Sequence, residues 1–126
     1  MNNEQIEKEI QDKGLTAPRI TPDDVEANIA SEHYFTGFDG ACNKGELAIY
    51  QCDQEVSKSI QALELLTFCV LVLKNGFTVT GESACASPEN FDAELGRKIA
   101  RKNAVQKLWP LMGYELKQRL HDGVTL

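Results

Sequence analysis

The chain lacks any apolar run approaching the roughly 18 residues that a membrane-spanning helix needs. Its longest, Leu65 to Leu73, is interrupted by Thr67, so no membrane partner is expected. It also lacks a C-x-x-C pair. Its four cysteines, Cys42, Cys52, Cys69 and Cys85, are scattered, so a zinc site has no support and no cofactor is expected. Histidine is scarce: His33 and His121 lie far apart in the chain, and no G-x-S-x-G surrounds Ser83. Without a paired acid and base, a metal set or an activated nucleophile, the expectation is a protein that is not an enzyme. The start, Met1-Asn2-Asn3-Glu4, is polar and acidic and has no signal-peptide pattern. Cys42 and Cys52 lie in a loop-rich region and could pair in an oxidising compartment, but without an export signal free thiols are the expectation. Cys69 and Cys85 sit in or beside strand-like sequence and read as small buried hydrophobes.

What is present is an ordinary globular composition, 126 residues with 42% hydrophobic and 25% charged. That length is one domain by the usual measure, large enough to form its own core. The net charge is −6, and it is unevenly spread. Residues 1–56 hold twelve acids and four bases, net −8, and residues 57–126 hold seven acids and nine bases, net +2. An acidic whole disfavours broad nucleic-acid binding, whereas the basic half leaves room for a local anion site.

Along the chain, residues 4–13 read as a short amphipathic helix with Ile6 and Ile10 on one side, ended by Gly14. Thr21-Pro22-Asp23-Asp24 is a strong helix start: a capping hydroxyl, a proline at the first helical position, and acids at the positive end of the dipole. Val25, Ile29 and Ala30 supply that helix's apolar side, and it gives way near Ser31. Residues 36–57 read as loops and turns, with a strand over Glu46–Cys52. Residues 60–66 are a short helix or the lead-in to a strand.

From Thr67 the pattern is clear. Two β-rich runs flank Asn75-Gly76, a strong hairpin signal because both residues tolerate positive φ. A two-residue loop at 75–76 pairs Val72 with Val79 and Val70 with Gly81. It puts Phe68, Val70, Val72, Phe77 and Val79 on one face and Cys69, Leu71 and Leu73 on the other. The first strand is apolar on both faces, which calls for cover on both sides of the sheet, from a helix on one and from another element or a second subunit on the other. Ser87-Pro88-Glu89 then starts a long helix expected over 88–108, stopped or restarted at Pro110, with a last short helix ending near Gly123.

At about 100° per residue, Phe91, Leu95 and Ile99 form one edge of that helix and Ala93, Gly96, Ala100 and Ala104 the adjacent edge. This broad face suits packing on a sheet. Arg97, Lys98 and Arg101 occupy the remaining arc, with Lys102 at its margin. Stacked like charges destabilise a helix slightly, so one reading is a bidentate clamp for phosphate or carboxylate. The other is a solvated face, or one that pairs with the acidic N-terminal half. Asn103 falls in the packing arc and needs a partner, the hairpin backbone or a ligand. Glu82, near the end of the second strand, is either an exposed strand-end residue or a partner for Arg97. Trp109 and Tyr114 read as anchors of the last helix. The candidate ligand-facing set is therefore Arg97, Arg101, Lys98, Lys102, Asn103 and Glu82. The fold class expected is α+β: a small antiparallel sheet (hairpin 67–84) packed against a long C-terminal helix (88–108), with short N-terminal helices. The whole chain forms a single domain, with an N-terminal helical arm at 1–16, a variable loop region at 37–59 and a hairpin-helix core at 60–126.

Several stretches resemble a known family. Phe77-Thr78-Val79-Thr80-Gly81-Glu82-Ser83-Ala84-Cys85 is followed by Pro88-Glu89-Asn90-Phe91-Asp92, Glu94-Leu95-Gly96-Arg97-Lys98-Ile99-Ala100, and Trp109-Pro110-Leu111 with Gly113-Tyr114. With Thr21-Pro22, these are similar to a family of small tailed-phage and prophage proteins. It is named after gene product forty-nine of one enterobacterial phage and gene sixty-six of another. The resemblance covers roughly 20–36 and 65–120. It implies a phage accessory protein made in the host bacterial cytoplasm, and it brings no catalytic residue set. Three functions follow for consideration. The first is a non-catalytic binder of a host protein, a defence factor included. The second is a protein that sequesters a phosphate-bearing nucleotide through the basic helix face, with homo-oligomerisation through the two-sided sheet building the pocket. The third is a nucleic-acid-binding accessory, which the acidity and few aromatics disfavour.

Overall fold

The computed structural model describes residues 2–43 and 54–123. The expected strand at Glu46–Cys52 lies outside those residues, and so do Cys52 and the side chain of Cys42, on which the thiol expectation rests. The α+β class holds: a three-stranded antiparallel sheet carries a long C-terminal helix on one face, with short helices N-terminal to it.

Helix α1 (Asn3–Asp12) opens with a capping box between Asn2 and Gln5, and Gly14 leaves it at φ 69°. Helix α2 (Pro22–Ala27) starts as its sequence dictates. The Thr21 hydroxyl accepts from the Asp24 amide at 3.1 Å, and the Asp24 carboxylate accepts from the Thr21 amide at 2.9 Å. Only Val25 of this helix reaches the core. Ile29 and Ala30 do not extend it. They begin strand β1 (Ile29–Thr36), which the sequence reading missed. Helices α3 (Gly37–Asn43) and α4 (Gln54–Leu63) follow, where loops and turns were expected over most of 36–57. Gly37 and Leu63 bring the two together.

Strands β2 (Leu66–Leu73) and β3 (Thr78–Ala84) form the expected hairpin one residue out of the expected register. Leu71 pairs with Val79 and Cys69 with Gly81. The Gly76 amide donates to the Leu73 carbonyl at 2.9 Å, and Gly76 itself has φ 88°, so the loop holds three residues, Lys74-Asn75-Gly76. This is the turn-plus-left-handed-residue form of hairpin, in which only the third position needs positive φ. A one-residue slip moves every side chain of the moving strand to the other face. Val79 therefore joins Cys69, Leu71 and Leu73 in the core rather than Phe68 and Val70. Burial decides this register, because it places Val79 inside and leaves Thr78, Thr80 and Glu82 outside.

Pro88–Asn90 is only a short 3-10 turn, and Ser87 makes no capping bond. The long helix, α5, runs from Ala93 to His121 and is capped by Asp92, whose carboxylate accepts from the Leu95 amide at 3.0 Å. Pro110 neither ends nor restarts it. The proline ring costs one backbone hydrogen bond, but Leu108, Trp109 and Met112 on either side of it pack on the core and hold the helix continuous. The helix seats through Gly96, Ala100, Ala104 and Leu108. Leu95 and Ile99, expected on the buried face, are exposed. A β-carbon on Gly81 would stand 2.2 Å from the Ala100 carbonyl oxygen, so helix and strand backbones touch there. Such an approach admits only the small edge of α5 and turns the large edge outward.

Candidate functional site

The order β1-β2-β3 puts β1 beside β2, and its register with Cys69 and Leu71 sends Tyr34 and Glu32 to the α5 side of the sheet. Arg101 reaches them from above. Its Nη1 and Nη2 donate to the two carboxylate oxygens of Glu26 at 3.0 and 2.7 Å, and its Nε donates to Glu32 at 3.1 Å. The Tyr34 hydroxyl donates to the other Glu32 oxygen at 3.0 Å. One guanidinium thus ties α5 to the neighbouring elements α2 and β1, which lie 75 and 69 positions earlier in the chain at Glu26 and Glu32. Hydrogen bonding to Arg101 holds the Glu26 carboxyl below its ordinary range. The Arg101 pKa is raised, chiefly by Glu26. Burial, then the bond to Glu32, pushes the Tyr34 phenol up, and burial does the same to the Cys69 thiol.

The expected ligand-facing set is therefore divided. Arg101 is half-buried and its fork is filled by carboxylates of the acidic N-terminal half, which was the alternative reading of the stripe. Arg97 is exposed one turn away. An anion held between the two arginines would have to compete with Glu26 and Glu32. Lys98 pairs with Glu94 at 3.4 Å, a solvent-exposed pair worth little. Asn103 donates from Nδ2 to the Glu82 backbone carbonyl at 2.8 Å, so it serves the hairpin, while Glu82 is exposed. Lys102 lines a groove of about 670 Å³ between α5 and α1, together with Val105, Gln106, Trp109, Ile6 and Ile10. Trp109 packs against the core as expected, whereas Tyr114, expected beside it as an anchor, is exposed.

Glu26, Glu32, Tyr34, Glu7 and Arg19 escaped the sequence reading. Glu26 looked like one more acid in a capped helix. Nothing local signals that its partner lies 75 positions later. Glu7 and Arg19 form a second bidentate pair, Nη1 to Oε1 at 2.6 Å and Nη2 to Oε2 at 2.5 Å, which pins α1 to the segment leading into α2.

The model of the phage protein (N4 Gp49/phage Sf6 gene 66) family matches residues 20–120. The chain belongs to that family. The matched span runs from the residue before the Thr21 cap almost to the end of α5. It contains the sheet and the Arg101 network and leaves α1 outside. No curated protein and no solved structure matches the chain. Family membership makes this a phage protein. Among the described residues, no helix is long and apolar enough to cross a membrane.

Proposed function

We propose that this phage protein is a non-catalytic accessory that binds a host protein and inhibits or modulates it in the host cytoplasm, and that the sheet face opposite α5 is its contact surface. The observation that carries this reading is the composition of that face. Leu66, Phe68, Val70 and Val72 of β2 form an apolar ridge, and Phe35 of β1, 39% exposed, stacks beside Phe68 with ring centroids 5.5 Å apart. Ser31, His33, Thr78, Thr80 and Glu82 surround the ridge. An apolar centre with an aromatic anchor and a polar rim is the anatomy of a protein-binding surface. A defence component belongs to the class of host targets this reading covers. Nucleotide sequestration through the basic stripe is less favoured, because Arg101 is already engaged by Glu26 and Glu32.

The test uses purified full-length chain as bait in host lysate, beside Phe35→Asp and Val70→Asp variants whose folding is checked by circular dichroism. The reading expects a host protein retained by the natural chain and lost from both folded variants. Retention by both variants overturns it. Sedimentation of the purified chain separates the self-association outcome: a dimer that Phe35→Asp splits would make the face a contact between copies instead.

A further inference from the structure

Helix α1 is held in an unusual way. Its capping box makes it locally sound, yet an isolated helix of 10 residues is marginal in water. Helices of that length are normally held by a buried apolar face, but no residue of α1 is buried: Ile6 is exposed and Ile10 half-buried, both facing the groove toward Val105 and Trp109 without filling it. Open space borders it on two sides. The groove of about 670 Å³ separates it from α5, and a second of about 510 Å³ separates it from α2. Glu7, Arg19, Val105 and Trp109 line both.

The direct contact that pins α1 is polar. The Glu7 and Arg19 side chains, only 17% and 27% exposed, meet in the two-pronged pair, and Gln11 Nε2 donates to Glu7 Oε2 at 2.8 Å. Hydrogen bonds from Arg19 and then Gln11 lower the Glu7 pKa to about 2, so the pair stays ionised over the ordinary pH range. The tether back to the domain, from Gly14 to Pro18, is exposed throughout. The surface under α1, made by Ile20, Val105 and Trp109 with Arg19 and Lys102 at its rims, belongs to the family-matched part of the chain, apart from Arg19. The helix over it does not.

We propose that α1 is a displaceable strap, and that the groove beneath it docks an acidic amphipathic helix of a protein partner. The required chemistry is read from the resident helix: two aliphatic residues four apart, as Ile6 and Ile10 are, and a carboxylate beside the first to take over Arg19. Binding is then a competition. The tethered strap acts at high effective concentration, so an incoming helix meets a groove that is open only part of the time, and its apparent affinity falls by that fraction. This goes beyond the sheet-face reading and uses a different surface, so Phe35→Asp leaves it untouched.

The probe is a fluorescent peptide copying residues 2–13, titrated into full-length protein. Its companion carries lysine in place of glutamate at the latch position. Glu7→Lys in the full chain releases the strap and should bind the native peptide about tenfold or more tighter than the natural chain does. Arg19→Glu also releases it but should prefer the lysine peptide, reversing the selectivity. Trp109→Ala on the Glu7→Lys background should weaken binding. Equal affinity for the natural, Glu7→Lys and Arg19→Glu chains overturns the proposal, as does absence of binding to the released chain or insensitivity to Trp109. Hydrogen exchange adds an independent readout. The α1 amides should exchange far faster than those of Ala100–Leu108 and faster still in Glu7→Lys; equal protection in α1 and α5 overturns the strap. Self-association of Glu7→Lys by strap exchange would make a second copy the occupant and overturn the partner assignment.

Discussion

At the residue scale, two glycines show how position outweighs type. Gly81 lies against the α5 backbone, where a β-carbon would stand 2.2 Å from the Ala100 oxygen and 2.3 Å from the Ala104 nitrogen. Gly81→Ala should cost about 3 kcal/mol or more, or prevent folding, because neither backbone can yield without unseating the helix. Gly113 sits in α5 with nothing within 4 Å of a new β-carbon. Gly113→Ala should stabilise the protein by up to about 1 kcal/mol through helix propensity alone. Urea denaturation of both variants checks the contrast. For Arg101 the expectation is modest because Glu26 is half-exposed. A double-mutant cycle with Glu26→Gln and Arg101→Gln should give a coupling of about 1 kcal/mol. Coupling near zero would mean the fork contributes nothing in solution.

At the element scale, the hairpin and the long helix were both legible, and both were misplaced in detail. Asn75-Gly76 marks a turn, but the sequence pattern admits either a two- or a three-residue loop, and local turn chemistry does not choose between them. Burying Val79 beside Leu71 does. Strand β1 was illegible for a related reason: Ile29 and Ala30 continue the spacing of α2, and Ser31-Glu32-His33 has no β-branched residue. Its extended form comes from pairing with β2. Pro110 offers a direct test of the continuous α5. Because its ring is exposed and no N–H reaches the Gln106 carbonyl, Pro110→Ala should raise stability by about 1–3 kcal/mol in thermal or urea unfolding. A loss of stability would show instead that the proline's geometry is needed there.

At the scale of the whole molecule, ion pairs of Glu7 with Arg19 and of Glu26 and Glu32 with Arg101 join separate elements, and those of Glu7 and Glu26 make part of the stability dependent on pH. Glu7 and Glu26 both have lowered pKa values, so their contributions are complete above the ordinary carboxylate value of 4.5 and are lost as pH falls through the folded-state values. For Glu7 that window runs from 4.5 down to about 2. A carboxyl titration by NMR should place the Glu7 midpoint near 2; a midpoint near 4.5 in the folded protein would show that the latch with Arg19 does not form in solution.

The sequence alone determined what depends on neighbours in the chain. Caps at Thr21 and Asn2, the turn near Gly76, helical spacing in α5 and the absence of a long apolar span all follow from residues a few positions apart. The family was legible too, because its hairpin-to-helix stretches are contiguous. The small Gly96, Ala100 and Ala104 edge marked the packing side of α5, but tertiary structure alone decided that Leu95 and Ile99 stay outside it and that Arg101 is not free. Gly96 hints at a close approach along the small edge, but the large edge looks suited to burial beside it until Gly81 brings the backbones into contact. The basic stripe on which the candidate site rested is split for the same reason: Glu26 and Glu32 meet Arg101 only after the sheet has formed.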